Sequence, residues 1–569
     1  MPTVNISYKD ICKLVGRKVE LEVLEKVLPL IKCEVKSIVN DSITVEVNSD
    51  RADMFSAEGI ARAFKGFLSI EKGCPKYRVK KSRIIVKVDK KVKNIRPFIV
   101  GAVIKDVKLG DEGFQQLIQL QEKLHETIGR RRRKVAIGVH NLNKIKPPIT
   151  YTAVSPEKIM FTPLDGDKPL TGKEILENTF QGKKYGYIIE EFPYYPLLLD
   201  AKGMVLSMPP IINAEDTRVE PETKNLFLDI TGWSFDAINQ VLNILTTSLA
   251  ERGGKIESVK IVYPKGYKQK IFWAAELKSR KIRVNLSYIN AVSGLNLNLK
   301  EAIKLAEKSR FNVKVEKKAK LNLTIPPYRF DILHPIDIVE DLIIAYGYDK
   351  IKPEEPKTLT VGKLMPKTLF MDKVRDLMIG FGFQEVANYI LTSKENQVYK
   401  MSLKDEDLKI VELLNPKTLE FSVVRGWLLP GLLNFLSYNT HVDYPQKIFE
   451  CGDVVVFDDK AETKTRNELR VAAAICNYRV SYEDIQSVVY TLLKNLNIND
   501  WTVEETTHPS FIPGRVAKIR FNDEDLAILG EIHPKILENF KLPNPVVAFE
   551  LNLMKPLSIY LTMEGSILY

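Results

Sequence analysis

Four acids fall close enough in the chain to hold one cation. Asp337, Glu340 and Asp341 lie at i, i+3 and i+4, so a helix puts three carboxylates on one face, and Asp331 stands just ahead of them. Like charges at that spacing repel. Two readings meet the cost. Acids near a helix N-terminus complement its macrodipole, at about 0.3–1 kcal/mol each. Alternatively a hard divalent ion such as Mg²⁺ takes the oxygens and keeps several waters. A second cluster is cationic: Arg130, Arg131, Arg132, Arg133 and Lys134 are consecutive. Plain solvation accounts for such a run, and so does an RNA backbone, whose counterions are released on binding. Arg466-Asn467-Glu468 has the Arg-x-Glu form of a phosphate-binding strand, but no Gly-x-Gly follows it, so it reads as a surface ion pair. No GxxxxGK and no HExxH occurs. The six histidines, His125, His140, His334, His441, His508 and His533, show no metal-ligand spacing.

These residues need elements to position them. Pro335 suits the first turn of a helix and Gly347 its end, with Ile336, Val339, Leu342, Ile343 and Tyr346 as its apolar stripe. Phe114, Leu117, Ile118, Leu124 and Ile128 mark another helix, which Gly129 ends just before the cationic run. Ser234 to Ala250 reads as a third, and Ala57 to Leu68, after Ser56, as a fourth. The alternating cations of KYRVKKSRIIVKV suggest a strand with one charged face, placed at a solvated sheet edge.

Composition sets the class. The chain has 569 residues, 45% hydrophobic and 27% charged, ordinary for a globular protein of several domains. A formal charge of +12 tolerates a polyanionic partner. Five scattered cysteines, never as CxxC, speak against a zinc ribbon or a disulfide framework and fit a reducing compartment. MPTVNISYKD carries no secretory pattern, and the longest uncharged run, Gly426 to Thr440, is too short and broken for a bilayer. The expectation is a cytoplasmic protein without membrane contact.

Longer motifs carry a resemblance. PPYRFDI followed by DIVEDLIIAYGYDKI resembles the acidic helix module of the phenylalanine–tRNA ligase β-subunit family. KVAIGVHNLNKI, YYPLLLDAKGMVLSMPPIINAEDTRVEPETKNLFLDITG, YPQKIFECGDVV and HPSFIPGRVAKI are similar to its editing and synthetase-like blocks, so the likeness spans almost the whole chain. It implies a multidomain α+β fold: an α/β unit at 1–75, a mixed α/β editing-type domain at 76–265, an acidic module at 270–355, and at 360–569 a class II synthetase-like antiparallel sheet lacking the active site. It assigns Asp331, Asp337, Glu340 and Asp341 to magnesium. It implies a ligase subunit that, with an α chain in an assembly of two α and two β chains, attaches phenylalanine to tRNA(Phe) using ATP. It further implies hydrolysis of mischarged tyrosyl-tRNA(Phe), with His140, Asn141, Leu198, Ser207, Asn213, Glu215 and Asp229 as site residues. Asp229 would accept the tyrosine hydroxyl, and Ser207 either joins the site or only bonds the backbone of its own turn. Where the family shows His-Asp, this chain has His140-Asn141. Two rivals are a non-enzymatic RNA-binding scaffold and a free-standing aminoacyl-tRNA deacylase.

Overall fold

Alternation of small apolar and polar residues builds the first sheet: Thr3–Ser7 and Cys33–Val39 both pair antiparallel with Ser42–Val47. The computed structural model describes residues 2–317, 319–355 and 361–563 and falls into two compact units, Met1–Glu355 and Pro356–Tyr569. The expected start of the last block, at 360, lies outside the described residues.

In the first unit a ten-stranded mixed sheet follows the small one. The cationic strand, Val79–Val88, is not at an edge. It runs parallel between Ile149–Val154 and Lys255–Val262 in the middle of that sheet. Its Val86 and Val88 are buried while Lys80, Lys81 and Lys87 stay in solvent, so alternation serves one buried face rather than edge protection. Helix Phe235–Glu251, capped by the Ser234 hydroxyl on Ala237 N–H, covers the sheet and buries Val241, Leu242 and Leu245.

One hydrophobic core joins this sheet to residues 1–75. Polar contacts clamp the same boundary. Arg252, at the end of that helix, donates to Asp10 at 3.0 and 2.6 Å and to Glu58. All three side chains are buried, so the pairing and the packing act together. Residues 280–346 form a separate small core, in which strands Arg280–Asn285 and Asn312–Glu316 flank Lys320–Ile325 under helices Leu299–Lys308 and Pro335–Tyr346.

The second unit is a seven-stranded sheet, antiparallel apart from the short strand Gln384–Glu385 at one edge. Strand Thr465–Cys476 shows how its two faces are filled. Leu469, Val471 and Ala473 join the core under helix Tyr482–Asn495, while Ala472, Ala474 and Cys476 join the core under helix Leu429–Tyr438. Among the described residues no helix is long and apolar enough to cross a membrane.

Candidate active site

A cavity of about 350 Å³ opens beside the ten-stranded sheet, lined among others by Ser207, Asn213, Asp229, Glu122 and Arg132. That is the size range of small-ligand sites. Register explains the grouping. Ser207 stands opposite Leu198 on one neighbour and Asn213 on the other, giving one row across three strands at one end of the sheet. Asp229 stands opposite Gly138 on Val135–Asn141, the strand at the other end. The Asn213 amide donates to Val139 O at 3.3 Å, so the sheet curls until its two ends meet across the cavity.

Asp229 is held from behind. His140 Nε2 donates to its Oδ2 at 2.8 Å, and His140 Nδ1 lies 2.8 Å from the Thr217 hydroxyl. His140 is fully buried and does not itself line the cavity. The backbone of Gly138 passes so close that a Cβ there would sit 2.0 Å from Asp229 Oδ2. Ser207 Oγ is buried and has no hydrogen-bond partner among the described residues. The alternative that it bonds its own turn therefore does not hold. An orphaned hydroxyl costs about 1–3 kcal/mol, which a ligand's polar group would relieve.

The remaining expected residues are elsewhere. Leu198 belongs to the row but is fully buried and does not line the cavity. Asn141 Oδ1 accepts from Asn143 N–H at 3.1 Å, a cap that aspartate makes equally well, so the missing carboxylate is not lost from the cavity. Glu215 turns to Arg218 and to Asp165 N–H. The cationic run is divided too. Arg130, Arg131 and Arg133 are exposed, whereas Arg132 points inward, donating to Ile211 O at 2.8 Å and Glu122 Oε1 at 2.9 Å, with its guanidinium 4.3 Å above the Tyr185 ring.

Glu122, on helix Gly110–Glu126, pairs with His125, which the sequence shows only as a histidine without metal-ligand spacing, although the i, i+3 relation of the two is legible there. Ile137 N–H donates to His125 Nε2 at 2.9 Å, so the ring's proton is on Nδ1 and faces Glu122 Oε1 at 3.1 Å. Burial pushes His125 down to about 4 against the opposing pull of Glu122. Burial also opposes ionisation of Glu122, but the bond to His125 and the nearby charges of His125 and Arg132 outweigh it and hold Glu122 at about 2. The unfolded chain takes up the His125 proton near pH 6.5 and the folded one near 4. Stability is therefore lost as pH falls through that window, by up to roughly 1.4 kcal/mol per unit. Denaturant titrations between pH 7 and 4 check this, and His125→Gln should flatten the slope.

The four acids, Asp331 ahead of helix Pro335–Tyr346 and the other three on it, do not converge. Arg329 donates from Nη2 to both Asp331 and Asp341 at 2.7 Å, standing between them as their shared counter-ion. Asp337 accepts from Leu333 and His334 N–H at 2.7 Å each, a capping contact that realises the dipole reading. Glu340 reaches Lys32 at 2.8 Å. Among the described residues no three acid, histidine or cysteine side chains could hold a metal ion. As arranged in this chain, the donors do not fit magnesium. EDTA should leave the melting temperature of the isolated chain unchanged, and a drop of several degrees on chelation would reverse that conclusion.

Comparison with known proteins decides the family. Residues 282–348 match the tRNA synthetase B5 domain family, and residues 351–553 match the phenylalanyl tRNA synthetase beta chain CLM domain. The chain is 44% identical over 563 residues to the phenylalanine–tRNA ligase beta subunit of Pyrococcus furiosus, covering 98% of this chain and 100% of that one. The chain belongs to the phenylalanine–tRNA ligase β-subunit family. The Pyrococcus horikoshii relative of the same name is 44% identical over 563 residues, again covering 98% and 100%. The crystal structure of an N-terminal fragment of the phenylalanyl-tRNA synthetase β-subunit from Pyrococcus horikoshii aligns with a TM-score of 0.59 at 43% identity, over 61% of this chain and 100% of the fragment.

In this member of the phenylalanine–tRNA ligase β-subunit family, the acids on one face of the second unit's seven-stranded sheet are neutralised by its own arginines. Glu450, Ala472 and Glu550 form one row across three strands. Arg425 pairs with Glu450, and Arg470 donates to Glu550 at 2.9 Å and Glu468 at 2.7 Å. Glu468, expected at the surface with Arg466, is buried and shared between Arg466 and Arg470. Glu468, Arg470 and Ala472 alternate along one strand and so share a face, and the pairing of Ala472 with Glu550 on the neighbouring strand sets that carboxylate beside Arg470.

Proposed function

We infer that this chain works with a separate α chain, two of each, to attach phenylalanine to tRNA(Phe) at the expense of ATP and its accompanying Mg²⁺. The observation that carries the reading is relatedness from end to end to the archaeal β subunits. The second unit supports the division of labour. Phosphate activation needs cations aimed at the substrate, because charge developing in the transition state is stabilised electrostatically. Here Arg425 and Arg470 are committed to buried carboxylates of the same sheet face. The exposed Arg130, Arg131 and Arg133 suit contact with tRNA, and a cytoplasmic setting follows from that role.

Pyrophosphate exchange tests it. The chain alone should give no phenylalanine-dependent exchange, and adding the α chain should restore it. Robust exchange by the chain alone would sink the reading.

A second activity, hydrolysis of tyrosyl-tRNA(Phe), rests on the cavity. A pocket for phenylalanine rejects an added hydroxyl only weakly, by roughly a hundredfold. Asp229 has one oxygen bound to His140, and its Oδ1 is taken by no side chain among the described residues. That oxygen can accept a phenolic hydroxyl, while the Ser207 hydroxyl and the Asn213 amide are at hand for the ester and the water that attacks it. The free-standing deacylase is disfavoured by the intact second unit, and the scaffold reading by the built cavity.

A further inference from the structure

A second, smaller cavity of about 40 Å³ lies where helix Ala57–Phe67 meets the acidic module. By the usual allowance of about 10–15 Å³ for each water, it takes about three waters or one small oxyanion. Its walls are strongly cationic. Lys32, Arg51, Arg62, Lys308, Arg310 and Arg329 face it, with Asp53 and Asp341 as the only acids among the wall residues.

Three of these six cations are matched by close carboxylates, and Lys308 lies over the Phe67 ring. Lys32 pairs with Asp50 and Glu340, Arg51 with Asp53, and Arg329 with Asp331 and Asp341. Arg62 and Arg310 have carboxylates nearby, Glu251 at 3.9 Å from Arg62 Nη1 and Glu71 at 3.0 Å from Arg310 Nη2, but neither guanidinium is fully hydrogen-bonded. Arg62 is 1% exposed, stacks its guanidinium 3.6 Å above the Tyr328 ring and donates only to Tyr77, leaving Nε and Nη2 without a hydrogen bond. The Asp53 carboxylate is 3.9 Å from Nη2 and is already gripped by Arg51 through two hydrogen bonds. Arg310 donates from Nη2 to Glu71, leaving Nε and Nη1 buried and unpaired. The Tyr328 hydroxyl, 2% exposed, has no partner either. Five donor atoms are thus orphaned on three side chains that wall one small space. Charged donors in that state cost more than neutral ones, and an anion that accepts from several at once relieves them together.

We propose that this cavity binds one small tetrahedral oxyanion, of the inorganic phosphate type, through Arg62, Arg310 and Tyr328. Arginine suits the task because its planar fork meets oxyanion geometry. A phosphate within an RNA backbone does not, since a buried Arg62 and Tyr328 leave no room for the flanking riboses. Occupancy ties helix Ala57–Phe67 to the acidic module and completes a charge network that the protein alone leaves open.

The test is calorimetric titration of inorganic phosphate into the full chain, at ionic strength held constant with chloride. One phosphate should bind per chain, with sulfate competing and chloride not, and the melting temperature should rise at saturation. Tyr328→Phe keeps the ring under Arg62 and should weaken binding roughly tenfold, the loss of one hydrogen bond to a charged group. Arg310→Met should abolish binding. Absence of saturable binding overturns the proposal, as does equal affinity in wild type and Tyr328→Phe. Competitive displacement of phosphate by tRNA(Phe) overturns it as well, because the site would then belong to RNA.

Discussion

Gly138→Ala should abolish hydrolysis of tyrosyl-tRNA(Phe) by the assembled enzyme while charging with phenylalanine continues. The added Cβ would stand 2.0 Å from Asp229 Oδ2, 2.8 Å from Asp229 Cγ and 2.9 Å from His140 Nε2. The strand cannot retreat easily, because Val135–Asn141 is registered residue by residue against Leu226–Gly232. Asp229 must therefore swing away, and it breaks its bond to His140 in doing so. A misplacement of about 1 Å at a reacting centre costs about 100-fold in rate, so the loss should be at least of that order. Asp229→Ala provides the comparison. It removes the contact to the phenolic hydroxyl without crowding the pocket, and should narrow the preference for tyrosyl over phenylalanyl ester by ~1–3 kcal/mol. Deacylation of preformed tyrosyl- and phenylalanyl-tRNA(Phe), alongside aminoacylation, measures both. A Gly138→Ala enzyme that deacylates at the unmutated rate would show that this cavity is not where the ester is cut.

The second large effect is expected on stability. Glu550 is buried in the middle of the second unit's sheet and accepts three hydrogen bonds: from Leu428 N–H at 2.9 Å, Leu429 N–H at 3.0 Å and Arg470 Nη1 at 2.9 Å. It thus caps helix Leu429–Tyr438 and neutralises an arginine at once. Glu550→Ala leaves the helix N-terminus and one side of Arg470 unpaired, and should destabilise the second unit by about 3–5 kcal/mol. Glu550→Gln keeps an acceptor for the two amides and should cost less. Replacing Glu550 and Arg470 together with apolar residues should recover part of the loss, since a buried pair repays little more than its own desolvation. Urea denaturation followed by tryptophan fluorescence reads these differences, Trp427 lying one residue before the capped amide of Leu428. A change within ~1 kcal/mol for Glu550→Ala would mean that water replaces the carboxylate without difficulty.

What was legible in the sequence is local. Helix Pro335–Tyr346 starts and stops where Pro335 and Gly347 say it should, because a missing N–H and a positive φ act on the residue that carries them. The helix after Ser234 follows from a hydroxyl cap on Ala237 N–H, whereas the helix after Ser56 begins there without a side-chain cap, Ser56 Oγ having no hydrogen-bond partner among the described residues. Long motifs also sufficed to indicate the family, since they hold many residues in fixed order. Tertiary structure alone decided which charges meet. The spacing of Asp331, Asp337, Glu340 and Asp341 is compatible with one cation, yet Arg329 and Lys32 reach three of them and a pair of backbone amides takes the fourth. Strand Val79–Val88 looked like an edge because alternation reports one buried face and says nothing of what pairs on either side. Arg132 parts from its neighbours in the same way, turned inward by a backbone whose course is set by the sheet behind it. Charge interactions depend on distance in space, and the sheet brings Gly138 to Asp229 across ninety-odd positions of chain, a closeness that residue spacing along the chain does not encode.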